Sequence, residues 1–190
     1  VKIVWTLHDT WTVSGSAAYF DYHGCKVWGE GWVVCNATKE YPEVKFFPNQ
    51  RRNFKWKRDH FKGFKNLEII TVSDWLKTLI NTTFLKEYPV TRVYNGIDLE
   101  TFNIKKKTTN NKIQLLGVAN MWEKRKGLVD FIELSKRLSE EYTITLIGLS
   151  QEQIDTLPQN IKGIERTSSL DELVGYYQNA DLYLNLRIIV

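Results

Sequence analysis

Leu116-Gly-Val-Ala-Asn-Met-Trp-Glu-Lys-Arg-Lys-Gly-Leu-Val-Asp-Phe131 opens as an apolar run, breaks into a polar turn carrying Arg125, Lys126 and Gly127, and resumes with apolar residues at helical spacing. That order predicts a buried strand, a basic loop and the start of a helix. An anion at this junction meets two positive side chains and the backbone N–H groups of the first helical turn, whose dipole adds roughly half a positive charge. On charge alone, the same pair of bases also suits a solvated loop. Gly117 and Gly127 are too far apart for G-x-G-x-x-G, and no G-x-x-x-x-G-K-[ST] occurs, which argues against P-loop nucleotide hydrolysis.

Outward from this junction the chain alternates in the same way. Lys2 to Leu7 reads as a buried parallel strand ending at His8-Asp9, followed by an irregular segment to about Pro48. A helix is expected over Asn49 to Lys65, a strand over Leu67 to Val72, a helix capped by Ser73 and running to Asn81, and a strand over Val90 to Tyr94. After the polar Lys105-Lys-Lys-Thr-Thr-Asn-Asn111 the series restarts. Strands are expected at Ile113 to Val118, Thr143 to Gly148, Lys162 to Arg166 and Asp181 to Leu186. Helices are expected over Gly127 to Glu141 and Leu170 to Gln178. Two such series joined by a polar linker predict an α/β protein of two doubly wound domains, 1–102 and 103–190, with a cleft between them.

With 190 residues, 43% hydrophobic and 25% charged, the chain can bury a core and is not disordered. A net charge of +4 does not by itself demand nucleic acid. No run of 18 apolar residues occurs, and Val1 to Leu7 lacks the charged start and cleavage site of a signal peptide, so a cytoplasmic location is expected. Cys25 and Cys35 then read as reduced thiols. With His23 they supply too few ligands for a metal, and none is expected.

The bases concentrate in Arg51-Arg-Asn-Phe-Lys-Trp-Lys-Arg-Asp-His-Phe-Lys-Gly-Phe-Lys65, where seven Lys or Arg stand against one Asp. On a helix Phe47, Phe54 and Phe61 form a narrow stripe with Arg51, Arg52, Lys55, Lys57, Arg58 and Lys62 fanned around it. Three readings follow: an anionic membrane surface or lipid-linked pyrophosphate, a single-stranded nucleic acid, or a solvated helix whose aromatics enter the core.

Five segments, Trp5-Thr-Leu-His-Asp9, Val72-Ser-Asp-Trp-Leu76, Val93-Tyr-Asn-Gly-Ile-Asp98 with Phe102, Gly117-Val-Ala-Asn-Met-Trp122 and Arg125-Lys-Gly127, stand in the order and spacing of retaining glycosyltransferases of family four. The chain resembles their bacterial polysaccharide and colanic-acid type. The resemblance implies a GT-B-like fold of two partial Rossmann-like domains with parallel sheets facing a cleft. It also implies a nucleotide-sugar donor on the C-terminal side and a glycan or lipid-linked acceptor on the N-terminal side. Arg125, Lys126 and Gly127 would hold the donor diphosphate, His8 would lie beside the transferred sugar with Asp9 fixing its tautomer or capping the next turn, and Asn95, Gly96 and Asp98 would mark the crossing between domains. No cofactor is expected beyond the nucleotide-sugar substrate, no nucleic acid partner is expected, and the site of action would be the cytoplasmic, inner face of the membrane.

The departures carry their own expectations. Relatives hold four cysteines after the His-Asp strand, whereas Ala17 and Trp32 stand where two of them align. Met121 occupies a position where many relatives have arginine. In relatives the last strand runs on into a loop and a helix carrying two glutamates eight apart, which grip donor sugar and ribose, whereas here the sequence given stops at Asn185-Leu-Arg-Ile-Ile-Val190, where that segment would begin. A chain incomplete at both ends, weak in turnover and prone to self-association is therefore expected. The alternatives are a binding or scaffold remnant of the same fold, or a nucleic-acid module built on residues 51–65.

Overall fold

The computed structural model describes residues 1–18, 49–103 and 111–186, and it contains two separate sheets in which every strand pair is parallel. The chain divides into a first unit, Val1–Gly96, and a second, Ile97–Ile188. This boundary precedes the one expected at 102/103 for a local reason. The Phe102 ring meets Tyr177 edge-on at 6.1 Å, and Gln178 Nε2 donates to the Asn103 carbonyl at 3.1 Å, so the residues just beyond Gly96 join the second unit. Residues 105–110 of the expected linker lie outside the described residues.

In the first unit β1 (Ile3–Leu7), β2 (Leu67–Thr71) and β3 (Val90–Arg92) lie in the order β1-β2-β3. Alternate residues of β2, namely Leu67, Ile69 and Thr71, are buried, and the two apolar ones join a core with Leu7, Leu76, Ile80, Leu85 and Tyr88. Helix α2 (Asp74–Ile80) begins where Ser73, in extended geometry, accepts a hydrogen bond from the Leu76 N–H at 3.1 Å, the cap its sequence position foretells. Helix α1 (Gln50–His60) stops short of the expected Lys65. Gly63 sits at φ +80°, and the Tyr88 hydroxyl donates to the Phe61 carbonyl while accepting from the Phe64 N–H, at 3.0 and 3.1 Å. These bonds satisfy the groups that a longer helix would have used. As an edge strand, β1 leaves Ile3 and Val4 exposed.

In the second unit β4 (Ile113–Val118), β5 (Tyr142–Ile147), β6 (Ile161–Ile164) and β7 (Leu182–Tyr183) lie in the order β6-β5-β4-β7. Helices α3 (Leu128–Arg137), α4 (Gln151–Asp155) and α5 (Leu170–Asn179) connect them. Leu115, Trp122, Phe131, Ile144 and Leu146 form the core. Helix α3 ends at Arg137, because Leu138 is extended, rather than at Glu141. The last strand is shorter than the Asp181 to Leu186 run suggests. Asp181 lends its carboxylate, as well as its N–H, to Gln114, at 2.7 and 2.8 Å, so a side chain replaces ladder bonding there.

Candidate functional site

The C-terminal ends of β4, β5 and β6 open on a cavity of about 790 Å³ walled by residues 118–123, by Ile147 to Ser150 with Gln153, and by Glu165, Arg166, Thr167 and Leu173. Ligands of open parallel α/β sheets bind at such strand ends. Trp122 braces one wall. Its indole Nε1 donates to the Ile147 carbonyl at 2.9 Å, its ring meets Phe131 edge-on at 5.4 Å, and its own carbonyl accepts from Gln153 Nε2 at 2.9 Å. Gly148 shapes the other side at φ +97°, where a Cβ would collide with the Ala119 carbonyl. Met121 is exposed at the rim.

The basic loop follows directly from that wall. Residues Lys124–Lys126 make one 3-10 turn closed by the Lys126 N–H on the Glu123 carbonyl at 2.8 Å. Gly127 caps α3 in the left-handed region, φ +76°, with no side-chain cap, and a Cβ there would strike the Leu186 carbonyl. Glycine is therefore required twice, by the dihedral and by the close approach. The Arg125 guanidinium pairs with the Glu123 carboxylate at 3.3 Å, with its side chain only 15% exposed. The structure thus sets Arg125, Lys126 and Gly127 at the start of α3, with the Glu123 carboxylate against the Arg125 guanidinium.

In the first unit His8 is exposed at the end of β1. Asp9 Oδ1 accepts from the Trp11 N–H at 2.8 Å, so this carboxylate closes the turn, one of its two expected roles. Beneath the turn lies a residue whose role the sequence did not reveal. Lys57, counted with the surface bases, turns inward and is 4% exposed. Its ammonium donates to the carbonyls of Trp11 and Ser14, at 2.5 and 3.2 Å, and sits 3.4 Å from the centre of the Trp11 ring. Burial brings it down to about 8 from an ordinary 10.5, and the Asp9 carboxylate pulls the other way.

The remaining bases of α1 stay outside. Arg51, Arg52, Lys55 and Lys62 are exposed and Arg58 half-buried, beside Trp56 at 54% and Phe64 at 43% exposure. The expected aromatic stripe does not share that surface. Phe54 meets Phe84 at 5.8 Å and Phe61 meets Trp5 at 5.0 Å, each edge-on within the unit, and Phe47 lies outside the described residues. Asn95 and Gly96 are exposed at the end of the first unit. Asp98 folds a turn of its own, accepting from Thr101 Oγ1 at 2.6 Å and the Glu100 N–H at 3.0 Å, and the Thr101 hydroxyl foremost holds its carboxyl below the usual carboxylate range. Cys25, Cys35, His23 and Trp32 lie outside the described residues, and Ala17 is buried. Among the described residues no group of three His, Cys, Asp or Glu is placed to hold a metal, and no helix is long and apolar enough to cross a membrane.

No family model matches the chain. Over 45 residues it is 47% identical to a protein named as a colanic acid biosynthesis glycosyl transferase, WcaC, of Escherichia coli (strain K12), a match covering 24% of this chain and 11% of that protein. The structure superposes on a crystal structure of a glycosyltransferase from Rickettsia africae ESF-5 with a TM-score of 0.52 at 15% identity, over 83% of this chain and 43% of that one. Both matches take in less than half of the other protein. The structural likeness establishes the fold as α/β with two parallel sheets of the kind a glycosyltransferase carries.

Proposed function

We propose that the chain belongs to a glycosyltransferase of polysaccharide biosynthesis, of hexosyltransferase type. It would take a nucleotide-sugar donor on the second unit and transfer the sugar, with retention, to a glycan or lipid-linked acceptor on the first. The observation that carries this reading is the joining of the 790 Å³ strand-end cavity to the Arg125-Lys126-Gly127 helix start through one continuous loop, residues 118–127. A nucleoside suits the roomy, Trp122-braced cavity, and its diphosphate suits the bases and first-turn N–H groups beside it.

In the proposed step the acceptor oxygen bonds to the anomeric carbon while the bond from that carbon to the diphosphate oxygen breaks. The acceptor proton passes to the leaving oxygen on the same face. Negative charge grows on the diphosphate, where fixed cations stabilise it, and no carboxylate pair is needed. His8 would orient the sugar, and no cofactor would take part. The exposed bases of α1, with Trp56 and Phe64, would rest the first unit on an anionic membrane at the cytoplasmic face.

Charge-assisted hydrogen bonds contribute about 1.5–3 kcal/mol each, so Lys126→Ala and Arg125→Ala should each weaken UDP or GDP binding roughly tenfold to a hundredfold. Isothermal calorimetry checks this. Affinities equal to the parent's in both variants would move the donor away from this loop.

A further inference from the structure

We propose that Lys57 is a positioning residue for the His8-Asp9 turn, a buried cation that clamps the loop at the end of β1 and so fixes where His8 is presented. The proposal rests on the assignment of His8 to the transferred sugar. The loop has extensive internal bonding. Thr10 Oγ1 donates to the Ala18 carbonyl at 2.8 Å, the Thr10 N–H donates to the same oxygen at 3.2 Å, and Ser14 Oγ donates to the Ala17 carbonyl at 2.6 Å. These bonds shape the loop, and Val13 seats one end of its turn in the core, which leaves the Trp11 end to be held by polar contacts. Lys57 reaches it from α1 and bonds two carbonyls, that of Trp11, the first residue of the 3-10 turn Trp11–Val13, and that of Ser14 just after it, while Trp11 lays its ring over the ammonium.

Stability alone is a poor reason for a lysine here. Moving an ammonium out of water is costly, and an apolar side chain of similar volume commonly serves a fold as well or better. What lysine adds is three directed donors and a charge. Two donors fix the turn's carbonyls, a cation beneath the Trp11 face contributes on the order of 1–2 kcal/mol when desolvated, and the charge lies within reach of the Asp9 carboxylate, which itself holds the Trp11 N–H. The clamp and the Asp9 turn therefore close on the same residue, Trp11, from opposite ends of its backbone. Any tilt of that turn moves the strand end one or two residues away, where His8 lies.

The test reads the loop rather than turnover, so failure of the donor assignment and failure of this proposal are distinguishable. In the full chain, labelled for nuclear magnetic resonance, Lys57→Met should shift and at least double the linewidth of the His8 imidazole and Trp11 indole signals, leaving the Trp122 indole in the second unit unmoved. Lys57→Arg, which can still donate to both carbonyls, should restore single narrow signals. His8 signals unchanged in folded Lys57→Met would overturn the proposal. Where Lys57→Met fails to fold, raising the pH of the parent protein removes the Lys57 proton instead. Asp9 is the charged group bearing on Lys57 among the described residues. The His8 and Trp11 signals should then move together with a midpoint of about 8. A stationary His8 signal through that midpoint would equally overturn it.

Discussion

Lys57 shows how one side chain can carry both a cost and a purpose, and its titration exposes the cost. Its pKa is about 8 when folded against an ordinary 10.5, so between those values the unfolded chain holds a proton that the folded chain has released. Stability from this group therefore rises with pH across that window, and the penalty is fully present below it. Comparing urea unfolding of the parent with Lys57→Met from pH 7 to 10.5 isolates the effect. The parent should gain on the variant by on the order of 1–2 kcal/mol, solvent at the loop edge screening the rest. A difference independent of pH would show that the ammonium is not desolvated. The inward turn of Lys57 was legible in principle. Gln50, Phe54, Lys57 and Phe61 recur at spacings of four, three and four on one helical face, and the first and third of them are buried. Counting charge along residues 51–65 hides this, because a charge run is read as a surface whichever way each residue points. Arg125, Lys126 and Gly127 were legible for the opposite reason. Their placement at a helix start follows from contiguity, which sequence states directly, whereas the Glu123 partner depends on a rotamer and sequence does not state it.

At the scale of elements, short apolar runs, most of them rich in β-branched residues, located every described strand, although only the inner strands β2, β4 and β5 are largely buried. Helix ends were less readable. α1 stops early through bonds from Tyr88, distant in sequence, and α4 went unread although Ser150 and Gln153 form a complete capping box, since five residues carry no apolar period. The start of α1 is informative in another way. Asn49 makes no side-chain cap bond, no acidic residue lies in the first turn, and two exposed arginines stand at the positive end of the helix dipole. Arg51 and Arg52 thus work against their own helix, by about 0.3–1 kcal/mol each. Exposed bases placed where they cost helix stability suit the proposed anionic surface. Arg51→Glu with Arg52→Glu should raise the melting temperature by a few degrees and lower co-sedimentation with anionic liposomes at least fivefold. Retained liposome binding, or tight RNA binding with no liposome association in the parent, would remove the membrane reading.

At the scale of the whole molecule, each unit has its own core, Leu7 to Tyr88 in the first and Leu115 to Ile161 in the second, and among the described residues each sheet has an edge strand paired on one side only, β1 in the first and β7 in the second. On the first edge Ile3 and Val4 are exposed, and on β7 Leu182 and Tyr183. Among the described residues such edges present backbone N–H and C=O groups without a ladder partner beside apolar side chains, and neither strand carries the inward charge, proline or bulge that blocks strand addition. β1 has Lys2 just outside its start, already paired with Glu68 at 2.9 Å across the neighbouring strand, so that lysine guards the sheet's interior side rather than its free edge. Self-association through these strands is the expected consequence. In sedimentation velocity the weight-average coefficient should rise with protein concentration. Val4→Lys with Leu182→Lys should flatten that rise, at little cost to either core because both side chains are about half exposed. Of these two edge strands β1 should dominate, since among the described residues it offers five residues of ladder against two on β7, and Val4→Lys alone should remove most of the effect. A parent whose coefficient does not change with concentration would show that the edges are covered in solution. A rise unaffected by either lysine would place the contact on another surface, with the aromatic and basic face of α1 as the next to test.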